Sequence, residues 1–219
     1  MTTLGILFDL DGTVADTAPD MVAALNVLLT RHNRPTIDYK LARTQVSHGV
    51  KGMLKLGFSL EPEHSDYPLL AKDYLAIYQE MNHANSRLFP GMKSLITKCQ
   101  QQQIALGIVT NKPRYLAEPL LRVLEVDQDF SCLNCGDDIP ERKPDPKPLF
   151  NACDTLQVSA NMCIYVGDAL RDIEAGKNAG MKTILVSWGY FDAKVDNIQD
   201  WEADFFVDNC EQILSILAH

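Results

Sequence analysis

A short run of branched and apolar residues, 4–8, is followed directly by Asp9-Leu10-Asp11-Gly12-Thr13. Such a run predicts a buried parallel strand. Side chains alternate along a strand, so Asp9 and Asp11 point the same way, and Gly12 lets the backbone turn sharply after them. Two carboxylates at the end of a buried strand are costly unless a cation neutralises them. The motif predicts a site for a hard metal ion with one carboxylate free for chemistry, although a plain strand-end turn would also use Asp and Gly.

Composition bounds the size of the fold and the kind of partner. The 219 residues are 46% hydrophobic, which is enough for one large core and a smaller second domain. The formal net charge of -9 disfavours binding to nucleic acid or to an anionic membrane surface. We therefore expect neither as a partner, and a negatively charged substrate would need a local cluster of positive charge or a metal ion.

Apolar runs and cysteines lead to an expectation for the compartment. The sequence has no run of about 18 apolar residues, and the first strand comes too early to leave room for a signal peptide. The six cysteines are scattered, several within apolar segments, which is typical of reduced cysteines in the cytoplasm. Cys132 and Cys135 have the spacing of a zinc or redox pair, but no second pair follows at zinc spacing. We expect a cytoplasmic protein without a membrane span.

Hydrophobic periodicity predicts strands that alternate with helices, interrupted by a purely helical segment. Thr17-Ala18-Pro19-Asp20 is a typical helix start, with a capping threonine and a proline in the first turn. Up to about residue 86 only helical patterns follow, near 41–58 and 67–81. The alternation then resumes, with helices near 92–103, 115–124, 146–156 and 173–179 and strands near 104–109, 130–133, 162–166 and 183–186.

This order of elements predicts an α/β fold: a doubly wound parallel sheet with right-handed crossovers and an inserted α-helical domain. We assign residues 1–16 and 87–219 to the α/β core and residues 17–86 to the helical domain. In such a sheet, ligands bind beyond the carboxyl ends of the strands.

Polar residues at other predicted strand ends could join the first motif. Thr110 and Asn111 follow one strand and can donate hydrogen bonds to an anion, and Asp168 and Asp172 follow another. Lys143 lies between them in the sequence and precedes two prolines that stiffen its backbone. Each has an ordinary explanation: a strand-to-helix turn, an acid at a helix N-terminus, or a solvated loop lysine. Their joint occurrence in this order favours one shared site.

Together these segments resemble the haloacid dehalogenase superfamily of phosphatases. The sequence matches the four motifs of that family in order, and a helical insert follows the first of them. The motifs are Asp9-Leu10-Asp11-Gly12-Thr13, Thr110-Asn111, Lys143-Pro144, and Gly167-Asp168 with Asp172. The resemblance covers essentially the whole chain and implies a Rossmann-like phosphatase core with a helical cap.

The resemblance also implies a role for each motif residue. Asp9 is similar to the nucleophile that becomes an aspartyl phosphate. Asp11 resembles the acid that protonates the leaving alcohol and then the base that activates water. Thr110 and Asn111 resemble the element that orients the phosphate, and Lys143 resembles the cation that holds the nucleophile and the phosphoryl oxygens.

Mg²⁺ is the cofactor that this resemblance implies. Asp168 resembles a metal ligand, alongside the Asp9 carboxylate and the Asp11 backbone carbonyl, and Asp172 resembles a residue that supports the metal shell. Magnesium prefers oxygen ligands and keeps several waters, so two or three protein oxygens are enough. The ion and a lysine would offset the repulsion between a carboxylate nucleophile and a phosphate dianion.

In the helical segment, residues 46–52 are the candidate loop for substrate selection. Ser47, His48 and Lys51 can contact hydroxyl groups or an anion, and Gly49 adds backbone freedom, although a plain turn between two helices is the alternative. Over its length the chain is most similar to phosphoglycolate phosphatases and to a bacterial branch that acts on N-acetylmuramic acid 6-phosphate, whose cap loop resembles Ser47-His48-Gly49. The implied partner is a small phosphorylated metabolite with a carboxylate, which Lys51 or a cap amide would face.

Other functions stay open at this point. A sugar phosphomutase or a dehalogenase would use the same fold, but a dehalogenase needs no metal, whereas this chain carries an acidic cluster. A protein that binds phosphate without turnover would not need every motif side chain. The leading interpretation is a magnesium-dependent phosphoric monoester hydrolase, most similar to phosphoglycolate phosphatase. The sequence leaves the physiological substrate and the oligomeric state open.

Overall fold

The computed structural model describes residues 5–192 and 196–217, so Leu4 of the predicted first strand lies outside the described residues. In chain order the strands are β1 (Gly5–Phe8), β2 (Ala15–Asp16), β3 (Arg87–Leu88), β4 (Ala105–Val109), β5 (Cys132–Asn134), β6 (Cys163–Gly167), β7 (Lys182–Val186) and β8 (Phe205–Val207). Within the described residues, six strands form one parallel sheet of order β5-β4-β1-β6-β7-β8, and β2 pairs with β3 in an antiparallel ribbon. The predicted parallel sheet is confirmed.

The helices are α1 (Ala18–Arg31), α2 (Tyr39–Arg43), α3 (Gly49–Phe58), α4 (Tyr67–Glu80), α5 (Met92–Gln101), α6 (Arg114–Val123), α7 (Lys147–Leu156), α8 (Leu170–Asn178) and α9 (Cys210–Leu217). The helical pattern over 41–58 is interrupted: α2 ends at Arg43, a 3₁₀ turn spans Val46–His48, and α3 begins at Gly49. Gly49 has a φ of +60°, which glycine adopts without a Cβ clash. The predicted elements do not include β8 and α9. In β8, Phe205 and Phe206 are exposed and therefore do not form a buried apolar run.

Helices cover both faces of the sheet, and β1 shows why its sequence is continuously apolar. Ile6 and Phe8 pack in one hydrophobic cluster with side chains of α5, α6 and α9, whereas Leu7 packs in another with side chains of α7 and α8. A strand that is buried on both faces must be apolar at successive positions. Helices α1–α4 contribute to a third cluster, which includes Leu25 and Tyr74.

The two segments that connect α1–α4 to the sheet lie side by side. Asp16 of β2 pairs with Arg87 of β3 in the ribbon. Asp20 of α1 is fully buried and accepts hydrogen bonds from the Asn85 N–H (3.1 Å) and from the Ser86 hydroxyl (2.7 Å). These contacts tie the start of the helical segment to its end.

No helix in the described parts of the chain is long and apolar enough to cross a membrane. All six cysteines are buried and free. Burial raises the pKa of both the Cys132 and the Cys135 thiol to about 12. Both thiols therefore stay protonated at neutral pH.

Candidate active site

The polar residues predicted at three strand ends meet at one edge of the sheet. β1 lies between β4 and β6, parallel to both. Asp9, Thr110 and Asp168 each follow the last residue of one of these strands, and all three are buried. The carboxyl ends of neighbouring parallel strands share an edge, so residues from distant parts of the chain converge there.

Asp9 is held in a positively charged environment. Its Oδ1 accepts a hydrogen bond from the Leu10 N–H (2.8 Å) and lies 2.9 Å from Nζ of Lys143. Its Oδ2 lies 3.8 Å from Nη2 of Arg171. Burial alone would raise the pKa of Asp9, but the charges of Lys143 and Arg171 outweigh it, and the pKa is lowered. Asp9 is therefore an ionised carboxylate at neutral pH.

Lys143 is a buried structural partner of the carboxylates rather than a solvated loop lysine, with 3% of its surface exposed. Its Nζ also lies 2.8 Å from Oδ1 of Asp172 and donates to the Tyr165 hydroxyl at 2.7 Å. The Asn111 side-chain amide bonds both backbone groups of Lys143: it donates to the carbonyl and accepts from the N–H, each at 3.1 Å. Asn111 thus positions the lysine, a use of its amide that the sequence did not suggest.

Three buried carboxylates form a cluster next to this lysine. Asp9, Asp168 and Asp172 each offer an oxygen, and these oxygens lie within 4.8 Å of one another. Oδ1 of Asp168 is buried and accepts no hydrogen bond from the described residues, whereas Oδ1 of Asp172 is paired with Nζ of Lys143. Burial, followed by the charges of Asp172 and Asp9, raises the pKa of Asp168 to about 7. Three buried carboxylate oxygens at this spacing, one of them without a hydrogen-bond partner, fit a hard divalent cation.

Gly12 lies so close to the Asp168 carboxylate that a larger residue does not fit there. Its φ is +84°, and a Cβ at this position would overlap the Asp168 carboxylate. Asp168 has little freedom to move away, because its Oδ2 accepts hydrogen bonds from the Ser47 hydroxyl (2.8 Å) and the Tyr190 N–H (3.0 Å). Ser47, predicted to contact substrate, reaches the acidic cluster in this structure.

Asp11 has two partners that sequence reasoning did not assign to the site. Its Oδ1 accepts a hydrogen bond from the Thr17 hydroxyl at 2.5 Å. Nζ of Lys112 donates to the same oxygen at 3.0 Å and to the Tyr78 hydroxyl of α4 at 3.1 Å. Lys112 and Tyr78 are buried, and burial raises the pKa of Tyr78 to about 12. Asp11 is thus bound by both the sheet edge and the helical segment.

The sequence indicates that Lys112 lies near the site, but it predicts a different role for Thr17. Lys112 directly follows Thr110-Asn111 at a strand end, so its position alone places it near the site. Thr17 was expected to cap α1, but its side chain makes no capping hydrogen bond and binds Asp11 instead. The Thr110 hydroxyl accepts a hydrogen bond from the Lys112 N–H (3.1 Å), which shapes the turn after β4.

A cavity of about 520 Å³ lies between the sheet edge and the helical segment. Its wall includes Asp9, Asp11, Thr110, Asn111, Ser47, His48, Gly49 and Lys51. Burial, then the charge of Arg171, lowers the pKa of His48. Lys51 is largely exposed, and its Nζ lies 3.6 Å from Oε2 of Glu61. The structure therefore brings the predicted loop to the cavity, with Lys51 paired to an acid of its own segment.

Comparison with known proteins agrees with this geometry. The sequence model of the haloacid dehalogenase-like hydrolases matches residues 6–186. An N-acetylmuramic acid 6-phosphate phosphatase from Pseudomonas putida is 36% identical over 217 residues, which cover 99% of this chain and 97% of the relative. A phosphoglycolate phosphatase from Xanthomonas campestris pv. campestris is 38% identical over 208 residues, covering 95% and 93%.

The fold also matches that of a solved structure. The crystal structure of a predicted phosphoglycolate phosphatase from Haemophilus somnus 129PT superimposes with a TM-score of 0.87 at 27% identity, covering 99% of this chain and 98% of that one. The family match spans every motif of the site, and both curated relatives align over nearly the whole chain. The chain therefore belongs to the haloacid dehalogenase-like hydrolase family and is a phosphatase of that family.

Proposed function

We propose that the protein is a magnesium-dependent phosphomonoesterase that works through an aspartyl phosphate on Asp9. The observation that carries this proposal is the placement of Asp9 on the cavity wall, with Lys143 on one oxygen and two other buried carboxylates beside it. The lowered pKa of Asp9 keeps its carboxylate ionised and able to attack phosphorus.

The proposed reaction has two steps. First, an oxygen of Asp9 bonds to phosphorus, the bond between phosphorus and the ester oxygen breaks, and Asp11 gives its proton to that oxygen. Second, Asp11 takes a proton from water, and the water oxygen attacks phosphorus. This releases inorganic phosphate and restores the Asp9 carboxylate. The Thr110 hydroxyl and the Lys143 ammonium stabilise the phosphoryl oxygens in both steps.

The donor set supports Mg²⁺ as the cofactor. Asp9 and Asp168 would hold it with the backbone carbonyl of Asp11, while Asp172, which already contacts Lys143, would support this shell. When bound, Mg²⁺ neutralises negative charge on the phosphoryl group and on the carboxylates around it. Oδ1 of Asp168, which has no hydrogen-bond partner among the described residues, is the atom that such an ion would satisfy.

We further propose that residues 17–86 are a cap domain on a core of residues 1–16 and 87–219. Helices α1–α4 supply most of one hydrophobic cluster, which also includes Phe89, Leu116 and Tyr190 of the proposed core. The cavity lies between these helices and the sheet edge. A cap in this position excludes bulk water from the phosphoryl group and contacts the leaving group. The residues proposed for that contact are Ser47, His48, Gly49 and Lys51.

The cavity favours a leaving group larger than glycolate. Its volume of about 520 Å³ lies in the range of sites for ligands much larger than a two-carbon phosphate ester. Apolar and aromatic side chains, among them Met21, Tyr67 and Leu75, line its cap side. Arg142, on the same wall, offers a charge for a carboxylate. These features favour N-acetylmuramic acid 6-phosphate, the alternative substrate class, over phosphoglycolate.

Phosphate release from both compounds at equal concentration, with and without Mg²⁺, tests the proposal. We expect release that requires Mg²⁺, is faster with N-acetylmuramic acid 6-phosphate, and is lost in Asp9→Asn. Asp127→Asn, which changes an exposed acid outside the cavity, is the matched control and should keep full activity. Turnover that persists in Asp9→Asn would exclude the nucleophile. Conversion of glucose 1-phosphate to glucose 6-phosphate without phosphate release would indicate a mutase instead.

A further inference from the structure

Arg171 is a charged residue of the site that has no part in the steps above. It lies in the first turn of α8, beside Asp172, and on the cavity wall. Its Nη2 is 3.8 Å from Oδ2 of Asp9, which is beyond hydrogen-bond distance. Its Nε is buried and donates to no acceptor in the described part of the chain. A buried donor without a partner costs free energy, and an acceptor that binds beside Arg171 would remove that cost.

The balance of charges around Asp9 indicates what this guanidinium does. Three carboxylates stand against the single ammonium of Lys143 in the acidic cluster. A divalent metal ion would only neutralise the remaining charge, and a phosphate dianion would then enter a site without net attraction. A guanidinium is protonated at every pH at which such an enzyme works. Arg171 therefore adds a permanent positive charge where the dianion arrives.

We propose that Arg171 binds the phosphoryl group of the substrate, and inorganic phosphate after the reaction, as a second cation opposite Lys143. This inference rests on the proposed function of Asp9. Lys143 lies at Oδ1 of Asp9 and Arg171 at Oδ2, so the two cations flank the carboxylate that attacks. Phosphorus must come to roughly 3–3.5 Å from that carboxylate, which brings its oxygens within reach of the guanidinium. The planar fork of arginine suits two phosphoryl oxygens at once.

Calorimetric titration of the Mg²⁺-saturated enzyme with inorganic phosphate tests this proposal directly. Arg171→Gln should weaken phosphate binding by at least about tenfold, as expected when a charge-assisted hydrogen bond is lost. Arg171→Lys keeps the charge without the fork and should recover part of the affinity. Arg122→Gln removes the same charge from the exposed side of α6 and should change the affinity less than about twofold.

Titration with Mg²⁺ separates phosphate binding from damage to the site. Removing a positive charge beside the carboxylates should leave the Mg²⁺ affinity unchanged or increase it. Phosphate affinity that stays within twofold of the wild type in Arg171→Gln would overturn the proposal, as would an equal loss of Mg²⁺ and phosphate binding in both Arg171 variants. Because these titrations do not depend on turnover, they are distinct from the Asp9→Asn assay, whose failure would exclude the nucleophile instead.

Discussion

Nζ of Lys112 lies 3.0 Å from Oδ1 of Asp11, and this contact joins the turn after β4 to the first motif. The same ammonium donates to the Tyr78 hydroxyl of α4 at 3.1 Å, so the contact also reaches the helical segment. Together with the Thr17 hydroxyl on the same oxygen, Lys112 fixes the position of the Asp11 carboxyl group. The second proposed step needs this position, because Asp11 takes a proton from the water that attacks the aspartyl phosphate.

With a substrate whose leaving group needs no proton, replacement of Lys112 should therefore slow the second step more than the first. We expect Lys112→Met to lower kcat by about 10- to 100-fold, within the range for a misplaced general base. The leaving group of p-nitrophenyl phosphate needs no proton, so the first step stays fast with this substrate. Rapid mixing of Lys112→Met with it should show a burst of p-nitrophenol equal to the enzyme concentration. Tyr78→Phe removes only the second partner of the lysine and should have a smaller effect. A Lys112→Met enzyme with unchanged kcat would contradict this role.

The hydroxyl of Thr17 should matter through Asp11 rather than through helix capping. Thr17→Val keeps the size of the side chain but removes the donor to Oδ1 of Asp11. We expect kcat to fall about tenfold, as for the loss of one hydrogen bond to a charged group, and Thr17→Ser to retain most activity. Steady-state kinetics of the two variants check this. A Thr17→Val enzyme with the same kcat as Thr17→Ser would show that the hydroxyl is dispensable.

Magnesium binding should depend on pH through Asp168, whose pKa is raised to about 7 by burial and by Asp172 and Asp9. Below that pH the ion must displace a proton, so its apparent affinity should fall roughly tenfold per pH unit, and above it the affinity should level off. The folded pKa lies above the unfolded one, so this carboxyl lowers the stability of the metal-free protein as pH rises from about 4 to 7. Calorimetry with Mg²⁺ at pH 5.5–8.5 measures the affinity.

The same titration has a consequence for thermal unfolding. Mg²⁺ should raise Tm more at pH 8 than at pH 6, because at pH 8 it neutralises a carboxylate that is otherwise buried and charged. Asp168→Asn should abolish both the stabilisation by Mg²⁺ and its pH dependence. A Tm increase that is independent of pH would contradict the assignment of Asp168 as the titrating ligand.

Gly12 and Gly180 form a matched pair that isolates the contact with Asp168. Both have positive φ, +84° and +71°, but a Cβ at Gly12 would overlap the Asp168 carboxylate whereas a Cβ at Gly180 would meet no atom within 4 Å. Alanine at either position should cost about 1–2 kcal/mol of unfolding free energy from backbone strain. Only Gly12→Ala should also weaken Mg²⁺ binding, by roughly 10- to 100-fold. Denaturant unfolding and Mg²⁺ titration of both variants test this, and equal Mg²⁺ affinities would refute it.

Local patterns predicted most of the fold. Residues 5–8 are apolar at every position because β1 is buried on both faces, and this pattern is visible in any short window of sequence. Alternation with helical patterns then predicts the parallel sheet. The patterns failed at β8, because its exposed Phe205 and Phe206 lie at the edge of the sheet and bury little of their surface.

The sequence by itself determined which acids follow the strand ends, namely Asp9, Asp11 and Asp168, and it identified Lys143 through a motif of the family that the chain resembles. Only the tertiary structure decided their partners: Lys112 and the Thr17 hydroxyl contact Asp11, and Arg171 lies beside Asp9. The physical reason is that periodicity reports the surroundings of a residue along one element. Ion pairs depend instead on distances between elements, which exist only after the sheet has brought separate strand ends to one edge.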